Sequence, residues 1–443
     1  MYKSIKLKNI SKTIGSGITP LRSNPKFWDN GTISWLKTEQ LGEHKIYETT
    51  EKITQYAVDN TSVKVFPKNT LSIAMYGEGR TRGNVSILKS EMTTNQACCN
   101  IVIDNKKADF EYVYYFLKTQ YLNLRSLSSG VRKNLNSNDI KEFEIRLPED
   151  ILTQQKIAKV LSDLDAKIEL NTKINAELEA MAKTLYDYWF VQFDFPFVTS
   201  SGVEKPYKTS GGKMVWNEEL KREIPEGWEV KTIDEYAEVK KGELITAKDS
   251  EEGEIKVVAA GVSYSYNHSK ANRKINTITI SGSGANAGFI NFWREPIFAS
   301  DCITVRGNTD TETLMLLQYL KFIQVHILSQ ATGSAQPHVY PSDIKRLNYI
   351  IPPKELIENF GIITIPMNDK IANNLKQNQQ LASLRDWLLP MLMNGQVRVG
   401  EENENIEEKK KSILNSIDKF KGYSSKEENS GMVAEDKEEY KAL

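Results

Sequence analysis

The residues best suited to chemistry lie in two glycine-rich loops. One loop, GEGRTRG, carries Arg80 and Arg82, and the other, GSGANAG, carries Ser283 and Asn286. Arginine can pair with phosphate or guanine, and asparagine can pair with adenine. The second loop matches a dinucleotide-binding motif, but that motif must open a helix, and the chain continues here as FINFW, which is typical of a strand. The loops therefore predict nucleic-acid contacts, and hairpin turns with solvated side chains are the alternative.

Catalytic motifs are not recognisable in this sequence. An adenine methyltransferase needs an Asn/Asp-Pro-Pro-aromatic turn, but Asn24-Pro25 is followed by Lys26. A metal-dependent nuclease needs clustered carboxylates near a lysine. Asp249 with the Glu254-Ile255-Lys256 segment comes nearest, in a polar stretch typical of an exposed turn. The four histidines share no metal-like spacing. The sequence thus predicts a protein that is not an enzyme and binds no metal or cofactor itself.

Composition indicates a cytoplasmic protein with one basic part. Cys98, Cys99 and Cys302 are too few for a disulfide framework and are expected to be buried strand residues. We find no export signal and no apolar stretch of about 18 to 20 residues that could span a membrane. The chain has 58 basic and 58 acidic residues, yet residues 1–150 carry 22 Lys and Arg against 16 Asp and Glu, a net charge of +6. That excess suits phosphate contacts.

An internal repeat is the firmest feature of the sequence. Each half contains a strand, a glycine-rich loop and a second strand, followed by helical stretches. Five stations recur in the same order at offsets of 203 to 205 residues: Gly83 and Gly288, Gln96 and Asp301, Phe116 and Tyr319, Asp139 and Asp343, Pro148 and Pro352. Such agreement predicts a duplicated domain.

A long helix is predicted after each domain. The first runs from about Asp150 to Val191 and the second from about Asn368 to Asn394, each with heptad-spaced apolar residues such as Leu375. Gly361 and Pro366 should shorten or kink the second helix. Asn171, Asn175, Asn374 and Asn378 interrupt the apolar seams at an offset of 203. We expect the helices to pair antiparallel with these asparagines meeting and setting the register; four solvent-facing asparagines are the alternative. Replacing Asn171 and Asn175 with Leu should then raise thermal stability.

The predicted fold class is α+β, with two tandem domains whose long helices pair as an antiparallel coiled coil about a pseudo-two-fold axis. The predicted parts are a first domain at 1–150, a spacer helix at 151–194, a linker at 195–226, a second domain at 227–351, a spacer helix at 352–396 and a charged, disordered tail at 397–443.

The opening segment resembles a known family. Gly17, Thr19 and Pro20, then Trp28, then Gly31, Ile33 and Trp35 are similar to the start of a target-recognition domain of type I restriction-modification systems. The helix at 161–195, with its Asn-x-x-Ile-Asn core and closing Trp-Phe-Val-x-Phe-Asp, resembles that family's central helix. The resemblance extends to about residue 396. The Gly-x-Thr-Pro and Gly-x-Ile-x-Trp stations are missing from the second half, where KKGELITAKDS stands.

This resemblance implies a non-catalytic specificity subunit. Its two target-recognition domains would each read one half of a bipartite, asymmetric site in double-stranded DNA, spaced by the helices. Two adenine-N6 methyltransferase subunits and motor-nuclease subunits would be its partners. S-adenosylmethionine, Mg and ATP would belong to those partners.

Loop residues able to contact DNA are our candidate site. Phosphate contacts would set position and a few side chains would read bases, with solvated loop residues as the alternative. The candidates are Lys37, Thr38, Arg80, Arg82, Arg132 and Lys133 in the first domain, and Asn267, Arg273, Ser283, Asn286, Gln336 and His338 in the second. A coiled-coil scaffold or adaptor without DNA readout is the alternative function.

Overall fold

The computed structural model describes residues 2–77, 81–127, 134–198, 202–330 and 337–400. The first domain and its helix contain β1 (Tyr2–Lys6), α1 (Leu7–Ile10), β2 (Ser11–Ser16), β3 (Ile33–Leu36), β4 (Lys45–Ile46), β5 (Glu51–Ile53), α2 (Gln55–Asn60), β6 (Leu71–Ala74), β7 (Val85–Leu88), β8 (Thr93–Thr94), β9 (Cys98–Ile103), α3 (Phe110–Thr119), α4 (Tyr121–Ser126), α5 (Ser137–Glu142), β10 (Glu144–Pro148) and α6 (Ile151–Tyr186). A π-helical segment, Asp187–Val191, continues α6.

The second half contains β11 (Pro196–Val198), β12 (Glu204–Pro206), β13 (Met214–Asn217), β14 (Arg222–Pro225), β15 (Glu229–Thr232), α7 (Ile233–Tyr236), β16 (Glu238–Lys241), β17 (Ile255–Val258), β18 (Tyr264–His268), β19 (Thr277–Ser281), β20 (Ile290–Trp293), β21 (Ile297–Ala299), β22 (Cys302–Arg306), α8 (Asp310–Phe322), α9 (Gln324–Gln330), α10 (Pro341–Lys345), β23 (Asn348–Ile351) and α11 (Lys354–Met393).

The two domains share one sheet topology, except that β4 at the edge of the first domain's larger sheet has no counterpart in the second. In the first, a five-stranded sheet has the order β2-β9-β6-β7-β4 and a three-stranded sheet the order β5-β3-β8. In the second, the corresponding orders are β16-β22-β19-β20 and β18-β17-β21. The strand pairs β1–β10 and β15–β23 each bring the start of a domain to its end. The strand, loop and strand units of the repeat are the antiparallel pairs β6–β7 and β19–β20. This shared order confirms the predicted duplication and the α+β fold class.

The glycines of the two N-terminal stations recur in the second domain, although other residues replace the Thr-Pro and Trp that follow them in the first domain. Gly242 donates its N–H to the Cys302 carbonyl, as Gly17 does to that of Cys98. A Cβ atom on Gly17 would lie 2.0 Å from the Thr94 carbonyl oxygen, and one on Gly242 would lie 1.9 Å from that of Ser300. Both positions therefore require glycine, since any side chain would collide with the backbone of the neighbouring turn.

The glycine of the second station also recurs at a crowded position. Gly31 precedes β3 and Gly253 precedes β17, and a Cβ atom on either would press on the backbone of the antiparallel neighbour, β5 or β18. The segment Gly253-Glu254-Ile255-Lys256-Val257 thus corresponds to Gly31-Thr32-Ile33-Ser34-Trp35. The expectation that this station is missing was therefore wrong for its glycine and isoleucine, while its tryptophan is replaced by Val257. The offset is 222 residues here, rather than about 204, which hid the match.

Buried apolar strands and capped helices explain the cores. All residues of β6, β7 and β19 are buried. Asp109 caps α3 by accepting the Tyr112 N–H, and Thr309 and Glu312 form a capping box at α8. Cys98 and Cys99 lie in β9 and Cys302 in β22, and all three are buried free thiols, as expected.

The chain divides into two compact units, and each domain packs on the ends of both long helices. One unit holds the residues up to Asp163 and those from Arg385, and the other holds Leu164–Leu384. In the first unit, Ile157 and Leu161 of α6 and Leu392 of α11 join the core of the first domain. In the second unit, Trp189, which follows α6, and Phe360 of α11 share one apolar cluster.

The second long helix is not shorter than the first. α11 has 40 residues and α6 has 36, so the expectation that Gly361 and Pro366 shorten α11 was wrong. A Cβ atom on Gly361 would lie 2.4 Å from the Thr311 hydroxyl oxygen, so glycine permits a close approach to α8 there. Pro366 removes one helical N–H donor, while buried Phe360 and Ile371 on either side secure the helix by packing.

The asparagines of the two helices meet within the second unit. Asn171 Nδ2 donates to Asn378 Oδ1 at 2.9 Å and to Gln377 Oε1 at 2.7 Å, and Asn374 Nδ2 donates to Asn175 Oδ1 at 2.8 Å. The partner number falls along α11 as the residue number rises along α6, so the helices run antiparallel. Leu375, expected in the seam, is exposed, because the neighbouring Asn374 takes the buried position.

The segment expected to be a linker contains two antiparallel strand pairs among its described residues. β11 pairs with β12 and β13 with β14. The rings of Phe195 and Tyr207 stack at 4.6 Å, and Ile224 belongs to the apolar cluster at the end of α6. The aromatic residues of this segment thus pack together, which its glycine- and lysine-rich composition did not predict.

Candidate nucleic-acid interface

Four loops of the first domain meet at one edge of its sheets. Met75 donates its N–H to the Ala97 carbonyl, and Asn95 donates to that of Leu36. Ile18 donates to the Thr94 carbonyl, which adds the loop after β2. We call the described residues of loops 17–20, 37–41, 75–84 and 95–97 the first loop cluster. It contains Lys37, Thr38 and Arg82 among the candidate residues.

Lys37 is held by two carboxylates. Its Nζ atom lies 2.6 Å from Glu39 Oε1 and 2.8 Å from Glu51 Oε1. The hydrogen bonds that Lys37 donates, first to Glu39 and then to Glu51, raise its pKa above the ordinary value. Thr38 begins a 3-10 turn directly after it. Lys37 is therefore a fixed, fully protonated cation, and a phosphate must compete with the two carboxylates for it.

Arg82 lies near the end of the glycine-rich loop, and its carbonyl accepts a hydrogen bond from Arg125 Nη1 at 3.1 Å. Gly83, directly after it, has a φ of +89°, and Gly288 has a φ of +87° at the corresponding point of the second domain. The paired glycines turn both chains back into β7 and β20. Arg80, Arg132 and Lys133 lie outside the described residues.

The second domain has a corresponding loop cluster. Gly284 donates its N–H to the Pro337 carbonyl, and Val339 donates to that of Gly282. Ser283 and His338 form an antiparallel β-bridge. We call the described residues of loops 242–245, 282–289, 299–301 and 337–340 the second loop cluster. It contains the candidates Ser283, Asn286 and His338, while Gln336 lies outside the described residues.

Two polar groups in the second loop cluster face a neighbour. Ser283 Oγ donates to Asp301 Oδ2 at 2.5 Å. The His338 ring lies 6.0 Å from that of exposed Tyr340, at an interplanar angle of 20°. Asn286 is exposed in the 3-10 turn Gly284–Asn286. Acceptors, donors and a flat aromatic surface thus lie together, as contacts with base edges require.

Two candidates of the second domain lie elsewhere. Asn267 is exposed on β18, opposite Lys256. Arg273 uses its donors within the domain: Nε binds Thr304 Oγ1 at 3.0 Å, Nη1 the Asn272 carbonyl at 2.8 Å and Nη2 the Lys241 carbonyl at 2.9 Å. Its side chain is 13% exposed. This geometry favours a structural role for Arg273 rather than a contact with DNA.

Sequence reasoning missed Gln96 and Asp301 of these clusters, and also Arg22, which follows loop 17–20 in the sequence. Arg22 places its guanidinium carbon 3.8 Å from the Trp28 ring centroid and forms an ion pair with Glu51. Gln96 and Asp301 were noticed as a station of the repeat but not as site residues. The sequence could have identified Gln96 and Asp301 as site residues. They are polar, differ in chemistry and occupy corresponding loop positions in the two domains.

Within the described ranges, we find no group of three or more His, Cys, Asp or Glu residues placed to hold a metal ion. No helix in the described part of the chain has the length and hydropathy needed to cross a membrane.

Comparisons with known proteins agree with this architecture. The family model described as "Type I restriction modification DNA specificity domain" matches residues 1–180 and 225–381. The chain is 29% identical over 423 residues to the type I restriction enzyme MjaIX specificity subunit of Methanocaldococcus jannaschii, covering 89% of this chain and 93% of that one. It is 22% identical over 344 residues to the HindI specificity subunit of Haemophilus influenzae, covering 63% and 74% of the two chains.

A solved structure shares the fold. The crystal structure of a type I restriction-modification system S subunit from M. genitalium matches with a TM-score of 0.58 and 18% identity, covering 88% of this chain and 96% of that one. The family model covers both copies of the repeat, including the start of each domain and most of each long helix. The chain therefore belongs to the type I restriction modification DNA specificity family and is a non-catalytic, DNA-recognising specificity subunit.

Proposed function

We propose that this specificity subunit reads a bipartite, asymmetric site in double-stranded DNA, one half with each domain. The observation that carries the proposal is a shared backbone with different side chains. At corresponding loop positions stand Tyr76 and Ser283, Arg82 and Ala287, and Gln96 and Asp301. Two similar folds can dock on a duplex in the same way, while different side chains select different bases.

Phosphate contacts would position each domain. Lys37 and Arg82 supply cations in the first loop cluster, and Arg80, Arg132 and Lys133, which lie outside the described residues, are further candidates. Residues 1–150 carry a net charge of +6, so counterion release should contribute strongly to binding by the first domain. Ser283, Asn286 and His338 are neutral or weakly basic, so the second domain is expected to depend more on base contacts.

The helices would dock partner subunits. We propose two adenine-N6 methyltransferase subunits and, for cleavage, motor-nuclease subunits, which would bring S-adenosylmethionine, Mg and ATP. The support is a set of exposed apolar side chains on α6 and α11: Leu170, Met181, Ile362 and Leu375. We expect partner subunits to cover some of these large apolar side chains, which the helices leave exposed to water. The expected compartment is the cytoplasm, where the DNA and these partners would be.

Mapping of N6-methyladenine across the genome of a host carrying the complete system tests the DNA proposal. We expect one motif with two unequal specified halves separated by unspecified base pairs. A continuous motif, a palindrome or random methylation would contradict it.

Copurification tests the docking proposal. Ile362→Lys combined with Leu170→Lys should abolish copurification with the methyltransferase subunit. Val325→Lys, which changes an exposed apolar residue on α9, should leave it unchanged. Equal loss of the methyltransferase in both variants would contradict a docking face on the helices.

A further inference from the structure

Gln96 and Asp301 occupy corresponding places in the two domains. Gln96 lies two residues before β9 and Asp301 directly before β22. Each follows a residue that bonds the end of a corresponding strand, since Asn95 donates its N–H to the carbonyl of Leu36 in β3 and Ser300 donates to that of Val258 in β17. The strands β9 and β22 correspond, since β9 pairs with β6 and β22 with β19 in the same antiparallel arrangement. The sequence offset of 205 agrees with that of Gly83 and Gly288. The fold thus presents the two side chains at one point of a shared backbone.

Each of the two side chains is oriented by a hydroxyl from a different loop. Thr19 Oγ1 donates to Gln96 Oε1 at 2.5 Å, across 77 residues of sequence. Ser283 Oγ donates to Asp301 Oδ2 at 2.5 Å, across 18 residues. The two hydroxyls come from non-corresponding loops, one after β2 and one after β19. In both domains, therefore, a hydroxyl group from another loop orients the side chain, although the hydroxyl comes from a different loop in each domain.

The carboxylate of Asp301 keeps one oxygen for a ligand. Ser283 uses Oδ2, and no hydrogen bond to Oδ1 is found from the residues that the structure describes. The side chain is half-buried, and a Cβ atom on Gly282 would lie 3.5 Å from Oδ1, so the carboxylate lies against the glycine-rich loop. An ionised carboxylate can only accept hydrogen bonds. Placing a negatively charged carboxylate close to DNA phosphates is unfavourable unless the carboxylate accepts a hydrogen bond from an amino group.

The chemistry of the bases then limits the choice. In the major groove, cytosine presents its N4 amino group as a donor, and Asp or Glu is the side chain that accepts from it. A glutamine amide both donates and accepts, which matches N7 and N6 of adenine. Gln96 Oε1 retains acceptor capacity after the bond from Thr19, and its Nε2 group supplies the donor.

We propose that Asp301 and Gln96 are specificity-determining residues, with Asp301 reading a cytosine and Gln96 an adenine at equivalent points of the two half-sites. This inference rests on the proposed DNA-reading function and assigns particular bases to it. Ser283 and Thr19 act as positioning residues, because each fixes the rotamer of the side chain that touches the base.

Selection from a randomised duplex library tests the assignment, using the full chain in complex with its methyltransferase subunit. We compare the wild type with Asp301→Asn, Ser283→Ala and Gln96→Glu. Asp234→Asn is the matched control, because this exposed aspartate pairs with Lys345 on α10 outside the loop cluster. Thermal unfolding of every variant shows which of them fold.

Asp301→Asn should reduce the preference for cytosine about tenfold or more at one position of one half-site. Gln96→Glu should exchange adenine for cytosine at one position of the other half-site. Ser283→Ala should keep the preferred base but weaken its selection at the Asp301 position, and Ser283→Thr should restore it. The control should select the wild-type motif.

An unchanged motif in folded Asp301→Asn overturns the assignment and leaves the proposed function intact. A motif altered in both half-sites also overturns it, because Asp301 would then be a general structural residue. If Asp301→Asn does not fold, unchanged selection by Ser283→Ala overturns it. A wild-type complex that enriches no sequence overturns the proposed function together with this assignment.

Discussion

Asn171 lies on α6 with its Nδ2 atom 2.9 Å from Oδ1 of Asn378 on α11. Asn175 and Asn374 form the next such pair, at 2.8 Å. Asn171 and Asn374 are 1% and 2% exposed, so the amides exchange hydrogen bonds with little access to water. Each pair joins residues of similar size and chemistry, as a duplicated helix with a pseudo-two-fold axis requires.

These contacts change the expected effect of substituting one helix alone. Asn171→Leu with Asn175→Leu would leave Asn374 and Gln377 without their partners. Each buried amide that loses its partner costs about 1–3 kcal/mol, and the two leucines would face these unpaired amides rather than apolar side chains. We therefore expect a lower midpoint of thermal unfolding, the opposite of what the sequence alone suggested.

Leucine at all four seam positions gives the complementary prediction. With Asn374 and Asn378 also replaced, no buried amide is left unpaired, because Gln377 is exposed to water, and the free energy of unfolding should rise. The register should become less defined, since an apolar seam tolerates sliding. Distances between spin labels on Lys173 and Lys376 should show a broader distribution than in the wild type. A stable variant with an equally narrow distribution would deny the asparagines a role in register.

Arg294 should be one of the most sensitive residues of the second unit. Its Nε atom donates to Asn368 Oδ1 at 2.8 Å and its Nη2 atom lies 3.0 Å from Glu179 Oε1, with the side chain 11% exposed. Arg294→Ala would leave Asn368 buried without this donor, and we expect a loss of about 2–3 kcal/mol in chemical denaturation. Lys354→Ala removes an exposed ion pair with Glu358 and should change stability by less than about 0.5 kcal/mol. Equal effects of the two variants would show that Arg294 is not part of the packing.

Regular repetition made much of this fold predictable. The offset of 203 to 205 residues located β6, β9, α3 and their counterparts, because strand pairs and helices conserve length when a domain is duplicated. The same reasoning failed before β6 and β19, because the first domain has additional residues between Gly31 and β6, so the offset there is 222 and Gly253 was overlooked. Loops accept insertions at small cost, so a fixed offset cannot be followed through them.

Packing and side-chain partners could not be predicted in the same way. The composition of residues 195–226 indicated a linker, but Phe195, Tyr207 and Ile224 are packed there. Arg273 has the composition and position of a loop cation, and only the structure shows its donors used within the domain. These packing contacts and hydrogen bonds involve residues that are distant in sequence. Hydrophobic periodicity and local motifs therefore cannot predict them.

The three thiols should be inert in the native chain. Burial raises the pKa of Cys98, Cys99 and Cys302 to about 12 each, so the reactive thiolate is rare at pH 8. The unfolded chain releases these thiol protons near pH 9, while the folded chain retains them. The free energy of unfolding should therefore fall as the pH rises above 9. Titration with a thiol-reactive dye should give no fast reaction at pH 8 and three thiols after denaturation. Fast labelling of native protein would contradict the buried strand positions.

Gly242 offers the sharpest test of the N-terminal station recovered in the second domain. A methyl group there would lie 1.9 Å from the Ser300 carbonyl oxygen, which belongs to backbone that β21 and β22 hold in place. Gly242→Ala should therefore destabilise the second domain by about 3 kcal/mol or more, since the neighbouring backbone must move. Gly15→Ala is the matched control, because no atom lies within 4 Å of a Cβ atom at that position of β2. Its effect should stay within about 0.5 kcal/mol. Thermal unfolding of both variants distinguishes the cases, and tolerance of alanine at Gly242 would mean that this turn does not correspond to the one at Gly17.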